Sequence, residues 1–334
     1  MKALVVGGGS IGRRHLQNLK ALGMDALALV EPDAARRLAV ANEIGATALD
    51  SLEAGLQWCP DFVVVATPTH LHVEQALAVA RAGHALFVEK PLSHDAAGLA
   101  DLVDLVKRKA LPSMVGCNLR FHSGPARVKE LLERDSIGRV LFARIQTGSY
   151  LPGWRPGTDY RKNYAARIET GGGCLLDCIH EIDLVRWYLG EVDEVFCMAG
   201  HLSSLEIETE DVAALVCRHR GGAISEIHLD YVQRTYERGC QIVGELGTIF
   251  WEFNKEVRWF DAKRASWGTF SEPADWDVNH MYRDEMEHFL DCLQTGERTM
   301  LPIEEAVAVM QIVFAAKTSA REGRLVATQR EVLA

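Results

Sequence analysis

The sequence predicts an α/β protein in which a doubly wound parallel sheet is followed by a large open sheet that is mostly antiparallel. Three observations lead to this prediction. In the N-terminal part of the chain, short apolar runs alternate with segments of helical spacing. Longer segments that alternate polar and apolar residues follow, as in strands. The C-terminal part returns to helical spacing. At 334 residues the chain also exceeds what one hydrophobic core usually serves, so two domains are expected, over residues 1–119 and 120–334.

The predicted strands of the first domain are short and continuously apolar, as parallel strands buried on both faces require. They cover Ala3–Val6, Ala26–Val30, Phe62–Ala66 and Ala85–Val88. Apolar residues at three-to-four spacing predict helices over His15–Leu22, Ala34–Ile44, Val73–Ala82 and Ala96–Lys109. Because strands and helices alternate along the chain, the sheet is expected to be parallel with helices on both faces.

The second domain carries longer segments with period-two alternation, which predict an antiparallel or mixed sheet. These segments are Val140–Gly148, Val192–Gly200, Val212–Arg218, Ala223–Tyr231, Gln241–Gly244 and Thr248–Phe253. Helical spacing returns at Asn279–Gln294 and Ile303–Arg321, so the C-terminal helix is expected to pack back on the first domain. The outer face of the sheet suits contacts between copies, and a homo-oligomer, either a dimer or a tetramer, is expected.

Composition excludes several classes of protein. With 48% hydrophobic and 25% charged residues, the chain resembles a soluble globular protein. The net charge of −10 argues against nucleic-acid binding, which needs clustered Lys and Arg. No apolar run reaches the length of a membrane span and no signal peptide precedes Gly7, so a cytoplasmic protein without membrane association is expected. The eight cysteines are scattered, which predicts reduced thiols.

A glycine-rich segment joins the first strand to the first helix, and this context makes it a candidate dinucleotide-binding turn. Its residues are Gly7, Gly8, Gly9, Ser10, Ile11 and Gly12. In such turns the first glycine permits the tight bend, the second lets the backbone approach a pyrophosphate, and the third allows close packing of helix on strand. The amides at the start of the helix donate to phosphate oxygens, and Arg13 and Arg14 are expected to add positive charge.

Glu31 ends the second strand, 19 residues after Gly12. A carboxylate there accepts hydrogen bonds from the adenosine ribose hydroxyls and repels a 2′-phosphate, which favours NAD over NADP. Arg36 and Arg37 lie close by and keep NADP binding open. The alternative is a purely structural turn followed by an acid at a helix start.

The segment Thr67-Pro68-Thr69-His70-Leu71-His72 follows the third predicted strand, at the carboxyl edge where ligands of open α/β sheets bind. Thr67, Pro68 and His70 are therefore expected to border the nicotinamide half of the cofactor. His70 and His72 suggest a metal site, but two histidines without further ligands of suitable spacing are more often polar loop residues. No metal is predicted.

Three separated motifs, in this order, resemble the Gfo/Idh/MocA family, named for glucose-fructose oxidoreductase, inositol dehydrogenase and a rhizopine-catabolism protein. The motifs are Glu89-Lys90-Pro91 after the fourth strand, Asn118-Leu119-Arg120-Phe121-His122, and the segment Gly171–Asp183. The resemblance covers nearly the whole chain. It implies an N-terminal Rossmann domain and a C-terminal α/β domain with a broad open sheet.

By this resemblance Lys90 is the active-site lysine that orients the reacting hydroxyl, with Glu89 beside it at the cofactor, and His180 is the general base. Histidine suits this role because its ordinary pKa lies near neutrality. Which of the two groups takes the proton stays open at this point. The resemblance thus implies hydride transfer from a secondary alcohol to NAD.

Asp177 is the expected partner of His180, although the spacing departs from the family pattern. In the family pattern the aspartate and the histidine are four residues apart with a glycine between them, whereas here they are three residues apart and the glycine is absent. A three-residue spacing still places both side chains on one helix face, and Asp183 is an equally spaced alternative. Zinc ligation by Cys174, Cys178 and His180 lacks a fourth ligand, so both cysteines are interpreted as small buried hydrophobes.

An aromatic, polar and cationic segment at Tyr150–Tyr164 is interpreted as a substrate loop, because aromatic faces suit sugar rings and arginines suit phosphate or carboxylate. A surface loop with solvated charges is the alternative. The candidate substrate-binding residues are Arg120, Tyr150, Trp154, Arg155, Tyr160, Arg161, Asn163 and Arg167.

The loop and the third motif together resemble a subgroup of the family that acts in bacterial surface-polysaccharide and lipid A (lipopolysaccharide) pathways. That resemblance implies oxidation of a nucleotide sugar, UDP-N-acetylglucosamine at C3. A free-sugar or inositol dehydrogenase is the closer alternative. A non-catalytic cofactor-sensing regulator is the alternative of another class, and the presence of Lys90 and His180 argues against it.

Overall fold

The computed structural model describes residues 1–328 and divides the chain into two compact units. Of the described residues, the first unit comprises Met1–Asn118 together with Val278–Ala308, and the second comprises Leu119–Asp277 together with residues 309–328. The predicted domains met at residues 119 and 120, so the structural division differs by assigning a C-terminal segment to the first unit. Residues 329–334 of the predicted second domain lie outside the described residues.

The first unit is built on a six-stranded parallel sheet with strand order β3-β2-β1-β4-β5-β6. Its strands are β1 Lys2–Val6, β2 Ala26–Val30, β3 Thr47–Leu49, β4 Phe62–Val65, β5 Ala85–Glu89 and β6 Ser113–Gly116. Its first helices are α1 Ser10–Ala21, α2 Ala34–Ile44, α3 Leu52–Gln57, α4 His72–Ala82 and α5 Leu99–Lys109. The strand order reverses between β1 and β4, which is the point where doubly wound sheets bind ligands.

The carboxyl ends of four strands carry the candidate cofactor residues. Gly7 follows β1, Glu31 follows β2, Thr67 follows β4 and Lys90 follows β5. The central strands are buried along nearly their whole length, so this edge of the sheet is positioned by a rigid core.

The second unit is built on a nine-stranded sheet with order β14-β13-β12-β11-β7-β10-β9-β8-β15, parallel only between β7 and β10. Eight of its strands are β7 Val140–Gly148, β8 Val192–Gly200, β9 Val212–His219, β10 Ile224–Asp230, β11 Glu237–Gly244, β12 Gly247–Glu252, β13 Glu256–Asp261 and β14 Ser266–Ser271. One face of the sheet is covered by helices α6 Ser123–Glu133, α7 Cys174–Asp177 and α8 Ile179–Leu189. The predicted fold class is thereby confirmed.

The C-terminal elements are α9 Val278–Thr295, α10 Ile303–Glu322 and β15 Val326–Ala327. Within the first unit, Phe289 of α9 packs edge-on against Phe62 and Phe87 with ring centroids 5.6 Å apart in each pair. Among residues 1–328, the helices fall short of the length or the apolar character that crossing a membrane would require.

Candidate functional site

The glycine turn after β1 has the geometry that a bound dinucleotide requires. Gly7 adopts a φ of +103°, and a Cβ atom there would lie 2.6 Å from the carbonyl oxygen of Ala66. A Cβ atom at Gly12 would lie 1.8 Å from the carbonyl oxygen of Gly7, so both positions exclude side chains. At Gly9, by contrast, no heavy atom of the described residues, apart from Gly9 and its two chain neighbours, lies within 4 Å of such a Cβ. Gly9 thus leaves open space where a pyrophosphate can approach the backbone.

Helix α1 begins next to this space. Gly9 is its N-cap and has no side chain to accept from the first amides, so the N–H groups of Ser10 and Ile11 are directed toward an external acceptor such as a phosphate oxygen. Arg13, which we predicted to support the phosphates, forms an exposed ion pair with Glu43 at 2.6 Å. Its charge is therefore already shared with a neighbouring carboxylate, and a phosphate would have to compete for it.

Glu31 is held as a buried carboxylate in front of the turn. Its Oε2 accepts a hydrogen bond from the amide of Gly8 at 2.9 Å, and its Oε1 accepts from the amide of Asp33 at 3.0 Å. Oε1 retains a lone pair for a ribose hydroxyl, and Oε2 offers its second lone pair in competition with the guanidinium of Arg36. Arg36 lies 3.5 Å from Oε2, and Arg37 donates to the backbone carbonyl of Glu31 at 2.6 Å. Both arginines that left NADP binding possible are therefore in contact with Glu31, Arg36 through the carboxylate and Arg37 through the backbone.

Lys90 follows β5, and the residue before it is fixed from two sides. Glu89 Oε1 lies 2.6 Å from Nε2 of His15 on α1, and both side chains are buried. Glu89 Oε2 accepts a hydrogen bond from the backbone amide of Lys90 at 3.1 Å. The peptide bond between Lys90 and Pro91 is cis. Glu89, predicted at the cofactor, therefore has both carboxylate oxygens engaged within the protein and supports the backbone of Lys90.

The segment after β4 is tied to the same region by His72. Its Nε2 lies 2.7 Å from the carbonyl oxygen of Thr67, and its Nδ1 lies 2.8 Å from the carbonyl oxygen of Pro91. His70 lies apart from this bridge, with its ring 6.5 Å from that of His94. Sequence reasoning treated His72 as a polar loop residue, and nothing in the local pattern distinguishes it from His70.

In the second unit, two tyrosines hold the carboxylate of Asp177. The hydroxyl of Tyr164 donates to Oδ1 at 2.6 Å, and the hydroxyl of Tyr231 donates to Oδ2 at 2.8 Å. Burial, together with the negative charge of Asp177, raises the pKa of both tyrosines well above the usual value. Both hydroxyls therefore stay protonated as donors. Tyr231 was missed by sequence reasoning because it directly follows β10, 54 residues along the chain from Asp177.

His180 lies in the first turn of α8 and is buried. The segment predicted as one helix is broken at Cys178, where φ is −91° and ψ is 32°, so Asp177 ends α7 and His180 starts another helix. The expectation that both side chains share one helix face is therefore wrong. Asp183 accepts two hydrogen bonds from Arg120, at 2.8 and 2.7 Å, and this buried pair engages the alternative partner of His180.

Arg120 itself was predicted to bind substrate, and its placement contradicts that expectation. Its side chain is only 5% exposed, and the guanidinium lies 5.2 Å from the ring centroid of Trp187 in addition to pairing with Asp183. A guanidinium enclosed in this way is part of the core of the second unit rather than an exposed ligand.

Part of the predicted substrate loop gathers around the Asp177 tyrosines. Trp154 packs edge-on against Tyr231 with ring centroids 5.2 Å apart, and the guanidinium of Arg155 lies 5.7 Å from the ring of Tyr164. Both loop residues are exposed on their outer side. The loop thus presents an aromatic and a cationic side chain beside the buried carboxylate.

The remaining predicted loop residues make contacts elsewhere within the second unit. Arg161 pairs with Asp159 and with Glu206, and the hydroxyl of Tyr160 accepts from the amide of Glu206. Arg167 lies 3.4 Å from Glu169. The guanidinium carbon of Arg234 lies 3.7 Å from the ring centroid of Tyr150. The backbone amide of Asn163 donates to the carbonyl of Tyr160, and Nε1 of Trp154 donates to Oγ of Ser149.

The cysteines of the third motif are buried thiols. Burial raises the pKa of Cys174 well above its usual value, which keeps the sulfur protonated. Within residues 1–328, no three or more His, Cys, Asp or Glu side chains are placed to hold a metal ion.

Comparison with known proteins identifies matches along most of the chain. Residues 1–117 match the oxidoreductase family with an NAD-binding Rossmann fold, and residues 126–250 match the GFO/IDH/MocA C-terminal domain. Myo-inositol 2-dehydrogenase of Thermotoga maritima is 28% identical over 339 residues, covering 98% of each chain. The scyllo-inositol 2-dehydrogenase (NAD(+)) of Bacillus subtilis is 25% identical, covering 97% of this chain and 95% of its own.

Solved structures with the same fold include two with bound ligands. Levoglucosan dehydrogenase in complex with NADH superposes with a TM-score of 0.90 at 21% identity, covering 98% of this chain and 99% of that one. The WlbA dehydrogenase of Bordetella pertussis, in complex with NADH and UDP-GlcNAcA, gives a TM-score of 0.82 at 23% identity, covering 98% and 99%. At these identities the likeness establishes the fold.

Proposed function

This chain belongs to the Gfo/Idh/MocA family of NAD-dependent oxidoreductases, and on that premise we propose that it oxidises a secondary hydroxyl of a free cyclic polyol or sugar. It is an NAD-dependent dehydrogenase acting on a CH–OH group. The proposal concerns the substrate: a free ring compound related to inositols or simple sugars, in place of the nucleotide sugar that the loop sequence suggested.

The internal charge pairing of the loop carries this proposal. Arg161 is shared between Asp159 and Glu206, and its hydrogen bond holds the pKa of Asp159 below the usual value. Arg167 faces Glu169 in the same way. A diphosphate bound by these arginines would have to displace their carboxylates, whereas a neutral polyol makes no such demand.

Relatives support the same substrate class. Two curated relatives that align over nearly the whole chain are inositol 2-dehydrogenases, and a 1,5-anhydro-D-fructose reductase aligns over 73% of it. Each of these names refers to a compound without a nucleotide.

The cofactor residues fit NAD, because the turn at Gly9 is open and Glu31 keeps acceptors for two ribose hydroxyls. When bound, NAD supplies the acceptor for the hydride that leaves the carbinol carbon. The ammonium of Lys90 donates to the reacting hydroxyl oxygen and stabilises the negative charge that develops there. The imidazole of His180 accepts the hydroxyl proton, so the C–H and O–H bonds break as the carbonyl forms.

We propose that Asp177 acts in the reaction through His180. Two phenolic hydroxyls hold its carboxylate in one orientation, so its charge is fixed in position before substrate arrives. We propose that this fixed carboxylate stabilises the positive charge that His180 acquires when it takes the proton. Trp154 offers an aromatic face to the apolar side of a sugar ring.

A nucleotide sugar, with UDP-N-acetylglucosamine oxidised at C3 as the specific case, is the second candidate. The exposed guanidinium of Arg155 favours it, because its nearest partner is the ring of Tyr164 rather than a carboxylate. A structure of the same fold was solved with NADH and UDP-GlcNAcA. Surface-glycan or lipopolysaccharide biosynthesis would be the setting of such an activity.

The test is NADH formation at 340 nm with three sets of compounds: inositols, free and anhydro sugars, and UDP-sugars. We expect turnover of a compound from the first two sets, with kcat/KM at least tenfold above that for UDP-N-acetylglucosamine. Turnover restricted to UDP-sugars would instead establish the second candidate. NADH binding without turnover of any of these compounds would favour the non-catalytic regulator.

The matched variants are Lys90→Met and Lys107→Met, the latter removing an exposed ammonium on α5. We expect Lys90→Met to lose at least about 10³-fold in kcat while NADH fluorescence still reports binding, because only the charge at the reacting oxygen is lost. Lys107→Met should retain wild-type turnover. Full activity in Lys90→Met would contradict the proposed chemistry.

A further inference from the structure

Two buried histidines bracket the backbone of Lys90, and neither belongs to the proposed chemistry. His15 and His72 are 0% and 1% exposed. His15 lies on α1, the helix that starts at the glycine turn, and His72 is the first residue of α4. Both helices therefore contribute a side chain to the segment that carries Lys90.

His72 connects two loops that leave adjacent strands. One ring nitrogen reaches the carbonyl of Thr67 after β4, and the other reaches the carbonyl of Pro91, the residue after Lys90. Carbonyl oxygens only accept, and a neutral imidazole donates from one nitrogen, so the ring donates to both carbonyls only when it is protonated. Burial lowers the pKa of His72 and outweighs the opposing effect of both carbonyl bonds and of the charge of Glu89, so the neutral ring donates to one carbonyl and lies against the other.

The opposite side of Lys90 is fixed through Glu89. Its carboxylate joins the ring of His15 to the amide of Lys90, at 2.6 and 3.1 Å. The lysine backbone is therefore held at its own amide and at the next carbonyl. Of these two contacts, the one through His72 also holds the loop at Thr67.

We propose that His72 is a positioning residue for Lys90: through the Pro91 carbonyl it holds the lysine where its ammonium meets the reacting hydroxyl. The inference rests on the role of Lys90 in the proposed function. A displacement of about 1 Å in a group that aligns the reaction costs on the order of a hundredfold in rate. Loss of the bridge should therefore slow the hydride step more than it weakens NAD binding.

The experiment compares His72→Phe, His72→Gln and His84→Phe. Phe keeps the ring but donates to neither carbonyl, whereas Gln keeps two N–H donors. His84 directly precedes the amino end of β5, so His84→Phe makes the same chemical change at the end of the strand that is remote from Lys90. Each variant is assayed for kcat, KM, NADH affinity, and the deuterium isotope effect on kcat with carbon-deuterated substrate.

We expect His72→Phe to lower kcat about 10- to 100-fold with an increased isotope effect and an NADH affinity within about threefold of wild type. His72→Gln should recover part of the rate, and His84→Phe should stay within about twofold. The proposal would be overturned if the isotope effect is unchanged and kcat falls only as much as the number of NADH-binding sites per protein chain. That result would mean that a smaller fraction of the variant is folded. If His72→Phe does not fold, His72→Gln carries the same comparison at lower amplitude.

Hydrogen exchange of the peptide spanning residues 88–94 tests the bridge without any assay of turnover. Exchange should accelerate in His72→Phe and remain wild-type in His84→Phe, and unchanged exchange in both would overturn the proposal. Full activity of Lys90→Met would refute the proposed chemistry even if exchange shows that His72 holds the loop. The two failures are therefore distinguishable.

Discussion

Asp183 and Arg120 form a bidentate ion pair with N–O distances of 2.8 and 2.7 Å, and both side chains are buried. The pair joins α8 to the short helical turn at Asn118–Phe121. Because each charge lies away from water, the removal of one partner leaves the other uncompensated. Asp183 is thus engaged in an ion pair within the second unit, and Asp177 stays the proposed partner of His180.

We predict that Asp183→Asn lowers the free energy of unfolding by about 3 to 5 kcal/mol, measured by urea denaturation. The folded variant should keep kcat/KM within about threefold of wild type. Asp104→Asn, which breaks the exposed pair of Asp104 with Arg108, is the control and should cost about 0 to 1 kcal/mol. A loss of turnover in Asp183→Asn at wild-type stability would assign Asp183 to catalysis instead.

The Asp177 cluster predicts a spectroscopic change that does not depend on substrate identity. Burial and then the charge of Asp177 raise the pKa of Tyr164 and Tyr231, so removing that charge should lower both values. In a titration at 295 nm, Asp177→Asn should ionise two tyrosines at lower pH than wild type does. Asp104→Asn should titrate like wild type, and an unchanged curve for Asp177→Asn would contradict the cluster.

Local sequence patterns were sufficient to predict four of the six strands of the first sheet and the cofactor end. The glycines and Glu31 carry their information in short spacings within one βαβ unit, and the four predicted strands are apolar runs buried on both faces. Strands β3 and β6 were not predicted. Thr47–Leu49 is short and largely exposed, and Ser113–Gly116 begins and ends without an apolar side chain, so neither shows the run that identified the others.

Interactions between distant residues could not be predicted in this way. Tyr231 and Asp177 are 54 residues apart, and His15 and Glu89 are 74 apart. The pairing of Arg161 with Glu206, 45 residues away, supports the proposal of a free polyol, because it occupies a charge that the sequence presented as available to phosphate. A residue list gives the charges of a loop, but only the fold determines which of them are already paired.

Glu31 is predicted to set cofactor preference. Glu31→Ser should lower kcat/KM for NAD by about 10- to 100-fold, since two charge-assisted ribose hydrogen bonds are lost. It should also raise activity with NADP, because Arg36 is released from the Glu31 carboxylate and can meet a 2′-phosphate. Initial rates with each cofactor measure the change. Glu53→Ser, at an exposed acid on α3, should leave the NAD to NADP ratio as in wild type.

His122 predicts loss of stability in mild acid. Its ring is fully buried, and burial, followed by the charge of Arg238, lowers its pKa to about 4, while a hydrogen bond with Asn254 opposes this. Below its ordinary pKa of 6.5 the unfolded state binds a proton that the folded state does not, so stability is present above pH 6.5 and falls toward pH 4.

A shift of this size corresponds to about 3 kcal/mol lost across that interval. Urea denaturation at pH 7 and pH 4.5 measures the loss, and His122→Gln should flatten it. The histidine caps α6 through the amide of Gly124, so the variant will also be less stable at pH 7, and only the slope with pH decides. If the unfolding free energy of His122→Gln falls with pH as steeply as that of wild type, His122 is not the group that causes the loss.

The outer face of the nine-stranded sheet predicts self-association. Phe196, Met198, Val216 and Ile224 alternate with the buried residues of β8, β9 and β10 and are 37%, 70%, 46% and 48% exposed on one face. The four side chains share this face with the exposed ion pairs Arg218–Glu194 and Arg144–Glu226, and a second copy presenting the same mixed apolar and charged face would cover both kinds of side chain. Light scattering after gel filtration should show a dimer or tetramer.

Met198→Glu should dissociate that oligomer, because the partner's face would bury an unpaired carboxylate. The control is Leu202→Glu, which places the same charge at a side chain that is 75% exposed outside the strand. If both variants keep the wild-type mass, contact between copies does not use this face. If wild type itself is a monomer at micromolar concentration, the expected homo-oligomer is wrong.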